Sequence, residues 1–98
     1  MATFITTVQF TEQGIKAARD TCQRAAAFKA TAKKLGVKVT GQYWTLGAFD
    51  GVIVCEAPDE EKATAALLHL GALGNIRTQT ARAFDATEMQ KILGLLPK

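Results

Sequence analysis

The sequence is poor in the residue types that build metal and redox sites. It contains one histidine, His69, and two cysteines, Cys22 and Cys55, with no CxxC pair among them. A structural zinc site needs four ligands, so neither a metal nor a cofactor is expected. Both cysteines are predicted to be unbridged and buried, because free cysteine is among the residue types most often found in protein interiors.

Long apolar runs and dense clusters of charge are also missing. No stretch approaches the roughly 20 apolar residues that span a bilayer. Residues 1–10 alternate polar and apolar side chains, unlike the continuous apolar run of a signal peptide. The net charge is +3, but the basic residues between positions 16 and 38 are interrupted by acidic and neutral ones. Because a nucleic-acid-binding domain usually carries a denser basic stripe, we expect a cytoplasmic protein that binds neither nucleic acid nor membranes.

The composition that remains is typical of one folded domain. Hydrophobic residues make up 48% and charged residues 21% of the 98 residues, far from the balance found in disordered chains. A domain of this length buries roughly 65% of the surface that its unfolded chain exposes. One core is therefore expected over residues 1–98.

Hydrophobic periodicity predicts four strands, two long helices and a short terminal helix. Alternation of apolar and polar residues predicts strands, whereas apolar steps of three and four predict amphipathic helices. Gly14 is expected to interrupt regular structure between the first strand and the first long helix. Cys22 lies on the apolar stripe of that helix. Gly41 is a possible β-bulge. The predicted strands are 3–10, 37–46, 52–57 and 76–84, and the predicted helices are 19–35, 59–73 and 88–95.

The order of these elements is β-α-β-β-α-β with a terminal helix. This order predicts an α+β, ferredoxin-like fold, in which a four-stranded antiparallel sheet carries both long helices on one face. Residues 52–55 are apolar on both faces of the third strand, although a solvated sheet face should be polar. A second copy of the chain is the simplest cover, so we expect a homodimer or a higher homo-oligomer.

Residues 43–50, together with residues 52–58, resemble the GYD-domain family of small bacterial proteins. Segments 3–6, 10–15 and 70–80 are similar to it as well, so that the resemblance spans nearly the whole chain. Phe49 replaces the tyrosine that gives the family its name. The resemblance implies a fold of the dimeric α/β-barrel type, with two ferredoxin-like sheets packed face to face. Barrel relatives include cofactor-free monooxygenases, isomerases, haem-handling enzymes and stress-response proteins, so the fold selects no chemistry.

Two side chains are weak candidates for proton transfer, His69 and Tyr43. His69 could act as a general base or a haem ligand, because histidine ring nitrogens can take up a proton or bind a metal. It lies one position from the predicted apolar stripe, however, and no partner carboxylate is near in sequence, so a boundary histidine without a role is favoured. Tyr43 and Trp44 are adjacent on a strand and should point to opposite faces. We expect one ring in the core and the other at a cavity or an interface.

The candidates for ligand binding are Trp44, Asp50, Arg77 and Arg82. For Asp50, a side-chain-to-backbone hydrogen bond within its turn is favoured over catalysis. Arg77 and Arg82 have opposite parity in the fourth strand, so they should lie on opposite faces of the sheet. A partly buried arginine needs an acidic partner or a bound anion. We prefer a structural ion pair with Glu56 or Asp50.

Three functions are consistent with these residues. The leading interpretation is a small oligomeric domain that binds a small, largely apolar molecule between the sheet and the helices. The second is a cofactor-free monooxygenase- or isomerase-like enzyme that acts on an aromatic or conjugated substrate through His69 or Tyr43. The third is an interaction module without a ligand. A dry cavity lined by polar groups would favour the enzyme over the interaction module.

Overall fold

Four strands and four helices make up the chain in the computed structural model, which describes residues 1–98. The two long helices share one core on one side of an antiparallel sheet, so the predicted α+β, ferredoxin-like fold is confirmed. The elements are β1 (Ala2–Phe10), α1 (Glu12–Lys16), α2 (Thr21–Lys34), β2 (Lys38–Trp44), β3 (Gly51–Ala57), α3 (Glu60–Ala72), β4 (Ile76–Ala83) and α4 (Ala86–Leu93). The strand order is β2-β3-β1-β4, which makes β2 and β4 the edges.

The segment between β1 and α2 differs from the prediction. Gly14 does not interrupt regular structure but lies inside helix α1. Thr11 caps the N-terminus of this helix, because its hydroxyl oxygen accepts a hydrogen bond from the Gly14 N–H at 3.1 Å. A 3₁₀ turn over Ala18–Asp20 then leads into α2. The long helix therefore begins at Thr21, two residues after the predicted start.

Thirteen buried apolar residues form one core between the helices and the sheet. Helix α2 contributes Phe28 and Ala32 to it, and β3 contributes Cys55. Both cysteines are free, as predicted, but Cys22 is exposed, so the prediction of two buried thiols is wrong for Cys22. It lies in the first turn of α2, before the part of the helix that packs on the sheet.

The side of the sheet away from the helices has no covering element. Burial alternates along β1 and β3, and the residues of opposite parity to the core remain partly or largely exposed. The register places Ile5 beside Val54 and Thr7 beside Val52 on this side. The two-sided apolar character of β3 is thus confirmed. This surface is called the open face, and its side chains are Thr3, Ile5, Thr7, Gln9, Lys38, Tyr43, Val52, Val54, Glu56, Arg77, Gln79, Ala81 and Ala83.

Helix α4 follows β4 without packing into the core. Its N-terminus has a capping box, because the Glu88 N–H donates to Asp85 and the Asp85 N–H donates back to Glu88. No residue of α4 is buried. The molecule is accordingly elongated, with a radius of gyration of 14.9 Å against about 13 Å for a compact domain of 100 residues. None of the helices has the length and apolar character needed to cross a bilayer.

Candidate functional site

A small cavity lies between the sheet and α2, where the sequence predicted a ligand. Its volume is about 70 Å³, and its apolar walls include Phe10, Phe28, Ile53 and Leu70. Pockets that bind drug-sized ligands are usually about 300–1,000 Å³. The cavity therefore has room for a few waters or a very small apolar molecule, but not for a conjugated substrate of ordinary size.

The polar groups around this cavity are occupied by the protein itself. The Asp50 carboxylate accepts a hydrogen bond from the Phe10 N–H at 2.8 Å, so it joins the β2–β3 turn to β1 instead of acting within the turn. The Gln42 amide donates to the Ala25 carbonyl at 3.0 Å, and the Arg24 guanidinium donates to the Ala17 carbonyl at 2.7 Å. No buried side-chain nitrogen or oxygen lacks a partner. The cavity thus presents no fully buried, unpaired side-chain group to a ligand.

The aromatic pair on β2 points to opposite faces, as predicted. Trp44 lies on the helix side, where its indole N–H donates to the Thr21 hydroxyl at 3.0 Å. The Tyr43 ring lies on the open face, over Gly41. The expectation that one ring enters the core is wrong, since Trp44 is 48% and Tyr43 63% exposed. Both rings belong to an edge strand, which has a neighbouring strand on one side only.

The two proton-transfer candidates are not brought together. His69 is exposed on α3, beside the buried Leu70, and it lines neither of the two main concave surfaces. Tyr43 lies across the sheet on the open face. Neither side chain takes part in a side-chain hydrogen bond to another acid–base group, and neither belongs to the two salt bridges of the chain.

The two arginines of β4 lie on opposite faces, as their parity predicted. Arg77 pairs with Gln9 on the open face, and Arg82 pairs with Phe4 on the helix side. Arg82 forms its ion pair with Glu88 at 3.0 Å. The preferred partners, Glu56 and Asp50, were therefore wrong. The sequence offered no reason to place α4 against Arg82, because the direction of α4 depends on the turn that follows β4.

The surroundings of the Glu88 carboxylate change its titration. The hydrogen bond from the Asp85 backbone N–H, and after it the hydrogen bond from the Arg82 side chain, hold the pKa of Glu88 below its usual value. At Cys55, burial raises the pKa of the thiol. Both shifts belong to structural groups and neither lies beside a cavity of ligand size.

A groove between α3 and β4 was not anticipated from the sequence. Its volume is about 540 Å³, and it is open to solvent along the outer edge of the sheet. Two small residues near the end of α3, Gly71 and Ala72, leave this space unfilled. They were the only feature of the sequence that pointed to a groove. This surface is called the α3/β4 groove, and it is lined by Phe4, Ala63, Thr64, Leu67, Leu68, Gly71, Ala72, Ile76, Arg77, Thr78 and Thr80.

These features define a ferredoxin-like domain with an uncovered sheet face, an apolar edge groove and a small internal cavity. The chain belongs to the GYD-domain family, because the sequence model of the GYD domain matches residues 4–93. A relative from Thermus thermophilus, described as a glutamine synthetase and cystathionine beta-lyase binding protein, is 31% identical over 90 residues. The match covers 91% of this chain and 95% of that relative.

Proposed function

We propose that this chain is a protein-binding domain that pairs with a second copy through the open face and, as a dimer, binds a metabolic enzyme. The observation that carries the proposal is the open face itself, where Ile5, Val52 and Val54 lie side by side without cover. The relative's description as a binding protein for two enzymes supports the choice of partner. A cytoplasmic location is part of the proposal.

The total exposed surface supports association. A monomer with a mass of 10.5 kDa is expected to expose about 5,400 Å². This chain exposes 6804 Å², and the difference of about 1,400 Å² exceeds the roughly 800 Å² that each partner buries in an interface of standard size. The single chain therefore carries enough surplus surface for a stable dimer.

The arrangement of side chains on the open face suits an interface better than it suits water. The apolar groups lie on the central strands β1 and β3, with Ile5 42% exposed. Charged and amide groups surround these apolar groups. At the β2 edge, Lys38 lies opposite Glu56 in the register, and at the β4 edge, Gln79 lies opposite Thr7. An apolar centre with a polar rim is the usual anatomy of a protein–protein interface.

Binding of a small apolar molecule, which the sequence favoured, has less support. The predicted position is occupied by a cavity of only about 70 Å³. A larger ligand would have to separate α2 from the sheet and break the hydrogen bond from Gln42 to the Ala25 carbonyl. Of the three functions left open by the sequence, the interaction module is the one that the surfaces favour.

The proposal is tested by isothermal titration calorimetry with two enzymes from the same organism, glutamine synthetase and cystathionine β-lyase. We expect saturable binding to at least one of them. The variant Ile5→Glu should weaken that binding at least tenfold, because it places a charge at the centre of the dimer contact. Leu46→Glu is the matched control, since Leu46 is fully exposed in the β2–β3 turn. Absence of binding to both enzymes would contradict the proposed partner.

A further inference from the structure

The two edges of the sheet are protected unequally. At one edge, β2 begins with Lys38 and is interrupted by a register shift between Val39 and Gly41. Lysines and bulges on an edge strand hinder pairing with another chain. At the other edge, β4 keeps an unbroken register with β1 over all eight residues and contains neither lysine nor proline. An edge of this kind is a template for a further strand.

Alternate residues of β4 direct their backbone groups away from the sheet. The Thr11 N–H donates to the Asn75 carbonyl at 3.1 Å, which makes these two residues a hydrogen-bonded pair at the end of the β1–β4 ladder. Hydrogen-bonded and non-hydrogen-bonded pairs alternate along antiparallel strands. Gln79 therefore bonds to β1, whereas the peptide N–H and C=O groups of Thr78 and Thr80 point outward from the edge.

The same outward-facing residues flank the α3/β4 groove. The side chains of Thr78 and Thr80 form one wall, and Leu67 and Leu68 of α3 form the other. A strand added to β4 would direct every second side chain toward this side of the sheet. At Gly71 an added Cβ would meet nothing within 4 Å, so the groove is open there.

Arg77 is the only ionisable residue that borders the groove, and its side chain lies on the open face of the same edge strand. It is exposed, and it takes part in neither of the two salt bridges of the chain. Arginine binds carboxylates with charge-assisted hydrogen bonds. A strand added to β4 would therefore complement this edge if it carried an acidic group beside Arg77, on the face opposite the groove.

We propose that the β4 edge and the α3/β4 groove bind an extended segment of a partner protein by strand addition. Apolar side chains at alternate positions of the segment occupy the groove, and an acidic side chain at an intervening position, or a free carboxyl terminus, contacts Arg77 on the open-face side. Backbone hydrogen bonds to Thr78 and Thr80 supply affinity, and the groove supplies specificity. This inference rests on the proposed function, because it names the surface that holds the partner while the open face pairs two copies.

The probe for this site is a display library of ten-residue peptides, from which one selected sequence is synthesised. Selected sequences should carry apolar residues at every second position and an acidic group toward one end. In amide hydrogen exchange followed by NMR, the bound peptide should protect the N–H groups of Thr78 and Thr80. Those of Gln79 and Ala81 should change little, because they already bond to β1. The same peptide N-methylated at alternate residues should not bind.

A pair of substitutions on α3 provides the matched control. Gly71→Gln places a side chain in the groove and should weaken the peptide at least tenfold. Ala65→Gln puts the same residue at an exposed position of the same helix outside the groove, and should leave the affinity unchanged. Equal binding to Gly71→Gln and to the unaltered chain would overturn the proposal, as would a library without binders. Protection of Thr78 and Thr80 that rises with protein concentration alone would also overturn it, since a second copy would then occupy the edge.

The enzyme titrations separate this inference from the proposed function. If glutamine synthetase or cystathionine β-lyase binds Gly71→Gln as well as it binds the unaltered chain, the proposed function stands and the edge site does not. If neither enzyme binds but the selected peptide protects Thr78 and Thr80, the edge site stands and the enzyme partner is wrong.

Discussion

The Arg82 guanidinium of β4 lies 3.0 Å from the Glu88 carboxylate of α4. The same guanidinium stacks 4.4 Å from the centre of the Phe84 ring, and the other Glu88 oxygen accepts a hydrogen bond from the Asp85 N–H at 3.1 Å. Arg82 of the sheet and Glu88 of the helix thus fix the turn between β4 and α4. The exposed helix α4 leaves the domain in a defined direction because of this contact.

The first prediction concerns the pH dependence of this contact. Hydrogen bonds from Asp85 and Arg82 lower the pKa of Glu88. A carboxyl group with a lowered pKa in the folded state stabilises that state above its usual pKa, and the contribution is lost as the pH falls through the lowered value. The protection factors of the α4 amides, which are corrected for intrinsic exchange, should therefore be constant near neutral pH and fall in the acid range.

Two measurements check this prediction. A carbon-detected NMR titration should place the midpoint of the Glu88 carboxyl below the usual glutamate value. Glu88→Gln should lower the protection factors in α4 at neutral pH and abolish their acid-range transition. A midpoint at or above the usual value would mean that the Arg82 contact does not hold α4 in solution.

The second prediction compares two glycines with opposite surroundings. A Cβ at Gly14 would collide with the carbonyl oxygen of Asn75, which is fixed by its hydrogen bond from Thr11. Gly14→Ala should lower the free energy of unfolding by about 1–3 kcal/mol, the range of overpacked sites. Gly71→Ala should raise it by about 0.5–1 kcal/mol, because a helical position with free space gains helix propensity. Urea denaturation measures both, and a neutral Gly14→Ala would show that α1 can move away from β4.

The third prediction concerns the two thiols. Cys22 is exposed and should react with a thiol reagent in the folded protein. Cys55 is 2% exposed, and burial raises the pKa of its thiol, so it should react only after unfolding. Titration with such a reagent should give one fast thiol under native conditions and a second in denaturant. Two fast thiols in the native protein would contradict the placement of Cys55 in the core.

Much of the fold was predictable because its signals are local. The alternation of Phe4, Thr6 and Val8 marks β1, and the structure buries all three. The capping box of Asp85 and Glu88 is another local signal, because it is contained in four consecutive residues. The short helix α1 was missed, since its cap depends on the Thr11 hydroxyl, which in turn donates to the Gly74 carbonyl at 2.6 Å. Thr11 and Gly74 are 63 positions apart in the sequence, so no local pattern links them.

The functional surfaces were less predictable than the fold. The open face could be inferred from β3, because Val52 and Val54 are apolar beside a buried Ile53 and Cys55. The α3/β4 groove could not be inferred, since its shape depends on how α3 lies against β4. The ion pair of Arg82 was misassigned for a similar reason, as sequence parity gives the face of a side chain but not its neighbours.

The measurement that tests the central claim most directly is sedimentation equilibrium of the chain at micromolar concentration. Pairing through the open face predicts a mass of at least twice 10.5 kDa. Ile5→Glu should shift the equilibrium to the single-chain mass with its circular dichroism unchanged, whereas Leu46→Glu should sediment like the unaltered chain. A single-chain mass for the unaltered protein, or a dimer unaffected by Ile5→Glu, would contradict the assignment of the open face as an interface.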